Sequence, residues 1–314
     1  MKFINSDLEK NAVVQRIELP GLADYKNVFI KREDLIHPEI SGNKWRKLKY
    51  NLLEAERLQK KTLLTFGGAY SNHIYSVAAA GKEYGFKTIG FIRGEAYNPL
   101  NPTLSFAEAN GMELRYLNRA DYKNINSINF QNDIIKQFND AYLIPEGGSN
   151  SLAVKGCAEI INDIEIEFDY ICCACGTGGT LAGITAGLKN TRNSIGFSIL
   201  KGGGFLKEDV KNLIKNYNGK EFNNWDIILD YHFGGYAKIN YELINFIGDF
   251  EKTNKIQLDP VYTGKMFFGI RDLIIKGYFK KHDKIIAVHT GGIQGIEGMK
   301  NKIKKILASH LSVS

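Results

Sequence analysis

Short apolar runs that end in glycine or small polar residues, each followed by a helix-forming stretch, recur along this 314-residue chain and leave it few ways to fold. Thr62-Leu63-Leu64-Thr65-Phe66 ends at Gly67-Gly68-Ala69-Tyr70-Ser71-Asn72-His73, and Val77, Ala78, Ala79 and Ala80 then carry a helix to Gly85. A strand at 88–92, a helix through Leu104 and Phe106 and a strand at 113–117 complete a βαβαβ series. Strands that are apolar on both sides and joined through helices belong to a parallel sheet. The second half repeats the pattern. A helix at 128–138 leads through Tyr142-Leu143-Ile144-Pro145 to the turn Glu146-Gly147-Gly148-Ser149-Asn150, and a helix follows at 151–162. Strands are predicted at 170–175, 195–200, 227–229 and 284–289, a helix from Thr180 to Lys189, and amphipathic helices at 241–252 and 266–275. The opening residues offer one strand, at 27–31. The chain therefore reads as α/β with mostly parallel sheets, in two lobes that share their connections: 1–47 with 144–314, and 48–143.

Ser41-Gly42-Asn43-Lys44-Trp45-Arg46-Lys47-Leu48 opens another helix, because Leu48, Leu52, Leu53, Ala55 and Leu58 recur at helical spacing. Ser41 and Asn43 supply capping oxygens, and Gly42 lets the backbone approach a ligand closely. Lys44 then lies in the first turn, at the positive end of the helix dipole, where a cation is disfavoured. Such a lysine is either a solvated side chain or an amine whose pKa is to be lowered, as a Schiff-base lysine requires.

A second anion-binding signal lies in Cys175-Gly176-Thr177-Gly178-Gly179-Thr180, between a predicted strand and helix. Free N–H groups and two threonine hydroxyls give it the features of a phosphate cup, with a purely structural glycine turn as the alternative. A dinucleotide fingerprint is the rival, but the glycines fall as Gly-x-Gly-Gly-x-x-x-Gly and no acidic residue follows at the ribose position.

Composition excludes other classes. Net charge is +7, from 41 basic and 34 acidic residues scattered without a long basic run, which argues against nucleic acid. No stretch approaches 18 apolar residues and no signal-like segment opens the chain, so a cytoplasmic protein without membrane contact is expected. Of four cysteines, Cys172, Cys173 and Cys175 fall in one apolar run; alternation sends Cys172 and Cys173 to opposite faces, and no histidine stands at ligand spacing, so no metal site is expected.

Phosphate together with an amine-bearing lysine points to pyridoxal 5'-phosphate, whose ring carries a phosphate at one end and an aldehyde at the other. Six blocks then resemble, in order, one family: Lys31-Arg32-Glu33-Asp34, the Ser41 to Leu48 helix start, Gly67-Gly68-x-x-Ser71-Asn72-His73, Ile144-Pro145-x-Gly147-Gly148-Ser149-Asn150, Leu258-Asp259-Pro260-Val261-Tyr262-Thr263-Gly264-Lys265 and His289-Thr290-Gly291-Gly292. The family is that of 1-aminocyclopropane-1-carboxylate deaminase and D-cysteine desulfhydrase, among the tryptophan-synthase-β-like enzymes. The resemblance implies two three-layer αβα lobes, a homodimer and a small amino-acid substrate.

The same resemblance makes Lys44 the Schiff-base lysine, Asn72 a partner of the ring's phenolic oxygen, and Gly176, Thr177, Gly178, Gly179 and Thr180 the phosphate cup, flanked by Asn43 and Cys175. It assigns catalysis to Lys44, Ser71, Tyr236 and Tyr262, and substrate contacts to Ser71, Asn72, His73 and Tyr262. Thr263 and Thr290 stand beside the cofactor ring, where the ring-opening deaminases of the family carry glutamate and leucine. A hydroxyl can only hydrogen-bond a neutral pyridine nitrogen, whereas a carboxylate would keep it protonated. The weaker electron sink suits β-elimination of a thiol, so D-cysteine is the expected substrate and the cyclopropane amino acid the alternative. Tyr70 replaces a usual glutamine, and residues 93–122 follow the family less closely. From other classes, a nicotinamide-dependent oxidoreductase or a catalytically silent binding protein on this scaffold are the competing readings.

Overall fold

The computed structural model describes residues 6–96 and 98–311. Strands β1 (Val14–Arg16) and β2 (Val28–Lys31) precede helix α1 (Asn43–Arg57). The chain then runs through β3 (Thr62–Gly67), α2 (Asn72–Tyr84), β4 (Lys87–Arg93), α3 (Pro102–Ala109), β5 (Met112–Leu117), α4 (Arg119–Tyr122), α5 (Ile128–Ile135) and β6 (Ala141–Ile144). It returns as α6 (Ser151–Ala158), β7 (Tyr170–Cys175), α7 (Gly179–Leu188), β8 (Asn193–Ser198), α8 (Leu206–Asn218) and β9 (Trp225–Ile228). Helices α9 (Tyr241–Asn254) and α10 (Thr263–Ile275), strand β10 (Ile285–Val288) and helix α11 (Lys300–Leu311) complete it.

Two sheets result, ordered β1-β2-β10-β7-β8-β9 and β5-β4-β3-β6. All pairings are parallel except β1 with β2. The final strand β10 enters between β2 and β7, so segments from both ends of the chain share the middle of the larger sheet. In open parallel sheets, ligands collect at the carboxyl ends of the strands. Here β2, β7 and β10 end at Lys31, Cys175 and Val288, and β3, β4 and β6 end at Gly67, Arg93 and Ile144. The expected blocks therefore leave the ends of both sheets.

The apolar runs are buried as their pattern requires. All six residues of β3 are buried, as are five of the six in β7. Cys172 packs with Ile30 and Phe197 on one face of the larger sheet, and Cys173 and Cys175 pack with Cys157 on the other, as alternation predicts. Their surroundings push the Cys157 thiol up to about 11 and the Cys175 thiol up to about 12, chiefly by burial, so they are small core residues.

Strands β1 and β6 and helices α4, α8 and α11 were not anticipated. The short edge strand β1 is held by its antiparallel ladder to β2 rather than by its own pattern. Helix α8 buries Leu206, Val210 and Ile214, a spacing that the sequence does contain. Helix α11 rests only partly buried residues, Ile303 and Ile306, on the core around α9, and its apolar signal is correspondingly faint. The start of α1 also differs from expectation. Neither Ser41 nor Asn43 caps it. The Thr290 carbonyl lies over the helix start and accepts the Asn43 N–H at 3.4 Å. A Cβ on Gly42 would come 2.0 Å from that oxygen, so the glycine serves backbone-to-backbone contact between α1 and the segment after β10.

A buried ion network locks α1 to the larger sheet. Arg46, 1% exposed, donates to Glu33, 0% exposed, at 2.8 and 3.0 Å and to Asp163 at 2.6 Å. Removing one member leaves the guanidinium without its main countercharge in a dry site. Glu33→Ala is therefore expected to cost about 3–5 kcal/mol of stability, measured as a lower urea midpoint at unchanged slope; a midpoint equal to wild type would contradict this role.

Candidate active site

Between the two sheets lies a cleft of about 1910 Å³. Its walls include Asn43, Lys44, Ser71, Asn72, His73, Cys175, Tyr236, Tyr262 and Thr290, together with the loop of Gly176, Thr177, Gly178, Gly179 and Thr180. Thr263 is the one expected position that does not line it.

The loop ends at the amino terminus of α7, whose first-turn N–H groups have no intrahelical carbonyl to bond. Gly178 takes φ 75°, a left-handed turn that delivers these groups to the cleft. Asn43 ties the two helix starts together by donating its side-chain amide to Thr180 Oγ1 at 2.7 Å. From α1, Lys47 reaches the same loop, donating to the Gly147 carbonyl at 3.0 Å and Ser149 Oγ at 3.1 Å, with Thr177 Oγ1 at 3.5 Å. Lys47 is 2% exposed, and burial lowers its pKa.

Lys44 precedes Lys47 by three residues, so both side chains lie on one helix face. Burial, and then the neighbouring Lys47 ammonium, bring the Lys44 amine down to about 7. The same positive field adds to burial in holding His73 well below its ordinary range, so its imidazole is neutral. That ring is turned under the cleft floor, with Nε2 2.9 Å from Thr65 Oγ1.

Ser71 caps α2, and its oxygen accepts the N–H groups of His73 at 3.2 Å and Ile74 at 3.3 Å. Its own proton remains to be donated. Asn72 follows in the first turn, with its amide nitrogen against Gly292, where a Cβ would come within 2.6 Å.

Tyr236 and Tyr262 meet edge to face, their ring centres 6.2 Å apart. Burial raises both phenols, Tyr262 the further, and both are neutral acids near pH 7. Asp259 sets Tyr262: one carboxylate oxygen accepts the N–H groups of Val261 at 2.9 Å and Tyr262 at 2.7 Å. The other accepts the Thr263 N–H at 2.9 Å and the Thr263 hydroxyl at 2.6 Å. Thr263 is thus fully buried and committed to Asp259, which corrects its expected place beside the cofactor ring. Of the two threonines, Thr290 alone lines the cleft.

This geometry has close relatives. Residues 13–291 match the family described as pyridoxal-phosphate dependent enzyme. The chain belongs to that family. It is 33% identical over 295 residues to a Pyrococcus horikoshii protein named "Putative 1-aminocyclopropane-1-carboxylate deaminase", covering 90% of this chain and 89% of the other. It is 30% identical over 309 residues to a bifunctional D-cysteine desulfhydrase/1-aminocyclopropane-1-carboxylate deaminase of Arabidopsis thaliana, covering 90% of this chain and 76% of that one. A crystal structure described as an ACC deaminase homologue superposes with a TM-score of 0.81 at 29% identity, over 94% of both chains.

The residues of this pyridoxal phosphate enzyme fit its cofactor. The cup of helix N–H groups and the Lys47 ammonium suit a phosphate dianion, and a deprotonated Lys44 amine one helical turn away suits the aldehyde. Lys47 was not singled out from the sequence, although its spacing from Lys44 was a usable signal. Also missed was Arg93, on the cleft wall with its guanidinium 5.6 Å from the Tyr122 ring centre, while the Tyr122 hydroxyl donates to Glu146 at 2.6 Å. Arg93 and Tyr122 bound the stretch that was expected to follow the family less closely. Lys47→Met should weaken pyridoxal phosphate binding by about tenfold or more, since a hydrogen bond to a charged group contributes about 1.5–3 kcal/mol, and should leave binding of unphosphorylated pyridoxal nearly unchanged. Equal losses for both ligands by fluorescence titration would remove Lys47 from the phosphate site.

Proposed function

We propose that this enzyme eliminates the thiol of D-cysteine, giving pyruvate, ammonia and hydrogen sulfide with uptake of one water. The observation that carries the reading is the state of positions 259, 263 and 290. Asp259 is occupied by four donors and buried, Thr263 is bound to it, and Thr290 offers only a hydroxyl to the cleft. None of the three presents a carboxylate that would keep a pyridine nitrogen protonated. A sulfide leaves with its own electron pair and needs less help from the ring than a cyclopropane carbon does. The D configuration follows the activity in the name of the Arabidopsis relative.

Within this reading, the cofactor supplies the electron sink for carbanion chemistry at Cα. Lys44 would hold its aldehyde carbon and, once released as a free amine, would take the Cα proton. The α2 start, with Ser71 and Asn72, receives the substrate carboxylate, and the neutral phenols of Tyr262 and Tyr236 give a proton to the departing sulfur. Opening of 1-aminocyclopropane-1-carboxylate is the second reading, and the names of the relatives favour it.

Sulfide and keto-acid release decide between the two. The expected result is a kcat/KM for D-cysteine at least tenfold above that for the cyclopropane substrate, equivalent to about 1.4 kcal/mol in barrier, with L-cysteine poorer than D-cysteine. Preference for the cyclopropane substrate would falsify the D-cysteine assignment. The amine has a separate test. Borohydride-trapped incorporation of pyridoxal phosphate at Lys44 should increase as pH rises through about 7, because the lowered pKa leaves the free amine abundant above that point. It should vanish in Lys44→Ala. A rise confined to pH above about 10, the ordinary lysine range, would show that the amine is not desolvated.

A further inference from the structure

Tyr236 occupies a segment whose conformation its own residues do not favour. Phe233, Gly234, Gly235 and Ala237 have φ of 53°, 96°, 121° and 53°, two of them at positions with a Cβ. Tyr236 is itself 40% exposed, so burial does not fix it either. Ammonium groups do. Lys265, fully buried on α10, donates to the carbonyls of His232 at 2.9 Å and Gly235 at 2.8 Å. Lys302, on α11, donates to the Ala237 carbonyl at 2.7 Å. The carbonyls immediately before and after Tyr236 are therefore both held by lysines.

Lys265 has no ion-pair partner among the described residues. A buried ammonium bonded only to loop carbonyls is an expensive way to close a surface turn, since a neutral donor would satisfy the same oxygens. Its place explains it. Lys265 lies in the first turn of the helix that begins one residue after Tyr262, so it connects the Tyr236 segment to the element that sets Tyr262. We propose that Lys265 is a positioning residue that holds the Tyr236 hydroxyl against Tyr262 for proton delivery, with Lys302 as a second tether. This rests on the proton-transfer role given to Tyr236 above.

The test uses the holoenzyme with whichever of the two substrates turns over faster. Lys265→Met keeps the volume and removes the donors; Lys265→Gln keeps two N–H donors; Lys302→Met cuts the second tether. Lys265→Met and Tyr236→Phe should each lower kcat by about ten- to hundredfold, the range of a lost acid–base contribution, with KM changed less than about threefold. The double variant should be no slower than Tyr236→Phe alone, because the two residues act as one unit. Lys265→Gln should recover part of the loss, and Lys302→Met should show a smaller one. Hydrogen exchange over residues 232–238 should accelerate in Lys265→Met and stay unchanged around Lys44. If Tyr236→Phe is slow but Lys265→Met is not, or if the two losses multiply, the positioning role is overturned while the proposed function stands. If Tyr236→Phe turns over normally, both the role of Tyr236 and this inference fall. Should Lys265→Met not fold, a Lys302→Met variant with wild-type exchange and turnover overturns the tether.

Discussion

The start of α1 places the amines of Lys44 and Lys47 on one helix face, at the positive end of that helix and opposite the positive end of α7. Among the described residues no carboxylate forms an ion pair with Lys44 or Lys47. Protein alone leaves this potential uncompensated, and it appears in a Lys44 amine near neutrality and a His73 that stays uncharged. A phosphate dianion relieves it. Cofactor binding and stability are accordingly linked, because a ligand that neutralises the site binds only the folded form.

The fold brings that potential to a single point. Parallel strands put their exits on one side, and the two sheets face each other at their exits, so the turns after β3, β6, β7 and β10 converge. The sixth block contributes through its backbone: Thr290 covers the start of α1, and Gly42 and Gly291 allow that approach. The Arg46–Glu33 pair then fixes α1 against the larger sheet, two residues after Lys44 and so on the opposite face of the helix. Rigidity behind a reactive amine keeps the amine aimed without using polar groups inside the cleft.

At the substrate end the design is one of neutral donors. Asp259 spends its charge on the backbone that carries Tyr262, and Lys265 spends its charge on the loop that carries Tyr236. The charges thus set geometry, and Ser71, Asn72, Thr290, Tyr236 and Tyr262 line the cleft as uncharged side chains. Neutral hydroxyls can give up and regain protons at a leaving group without the desolvation penalty of a buried ion.

Much of this protein was legible in the residue order. Apolar runs and glycine turns marked β3, β4, β7 and β8, because those strands are buried on both faces and need no partner to be recognised. Lys44 and the α7 loop were found by local chemistry, an amine at a helix start and a glycine-rich helix entry. Tertiary structure decided the rest. The three-residue β1 exists only by pairing with β2, and β10 takes its central place through contacts more than a hundred residues away in sequence. The family resemblance set Thr263 and Thr290 alike beside the ring; in the fold the Asp259 carboxylate binds the Thr263 hydroxyl and Thr290 lines the cleft, since a buried acid must collect donors from whatever backbone lies nearest. Lys265 closed one of the six blocks without a role of its own and Lys302 belonged to none, and only packing showed their side-chain nitrogens on the carbonyls around Tyr236. Periodicity and turn chemistry are properties of neighbours along the chain, whereas the partner of a buried charge depends on which distant backbone is folded against it.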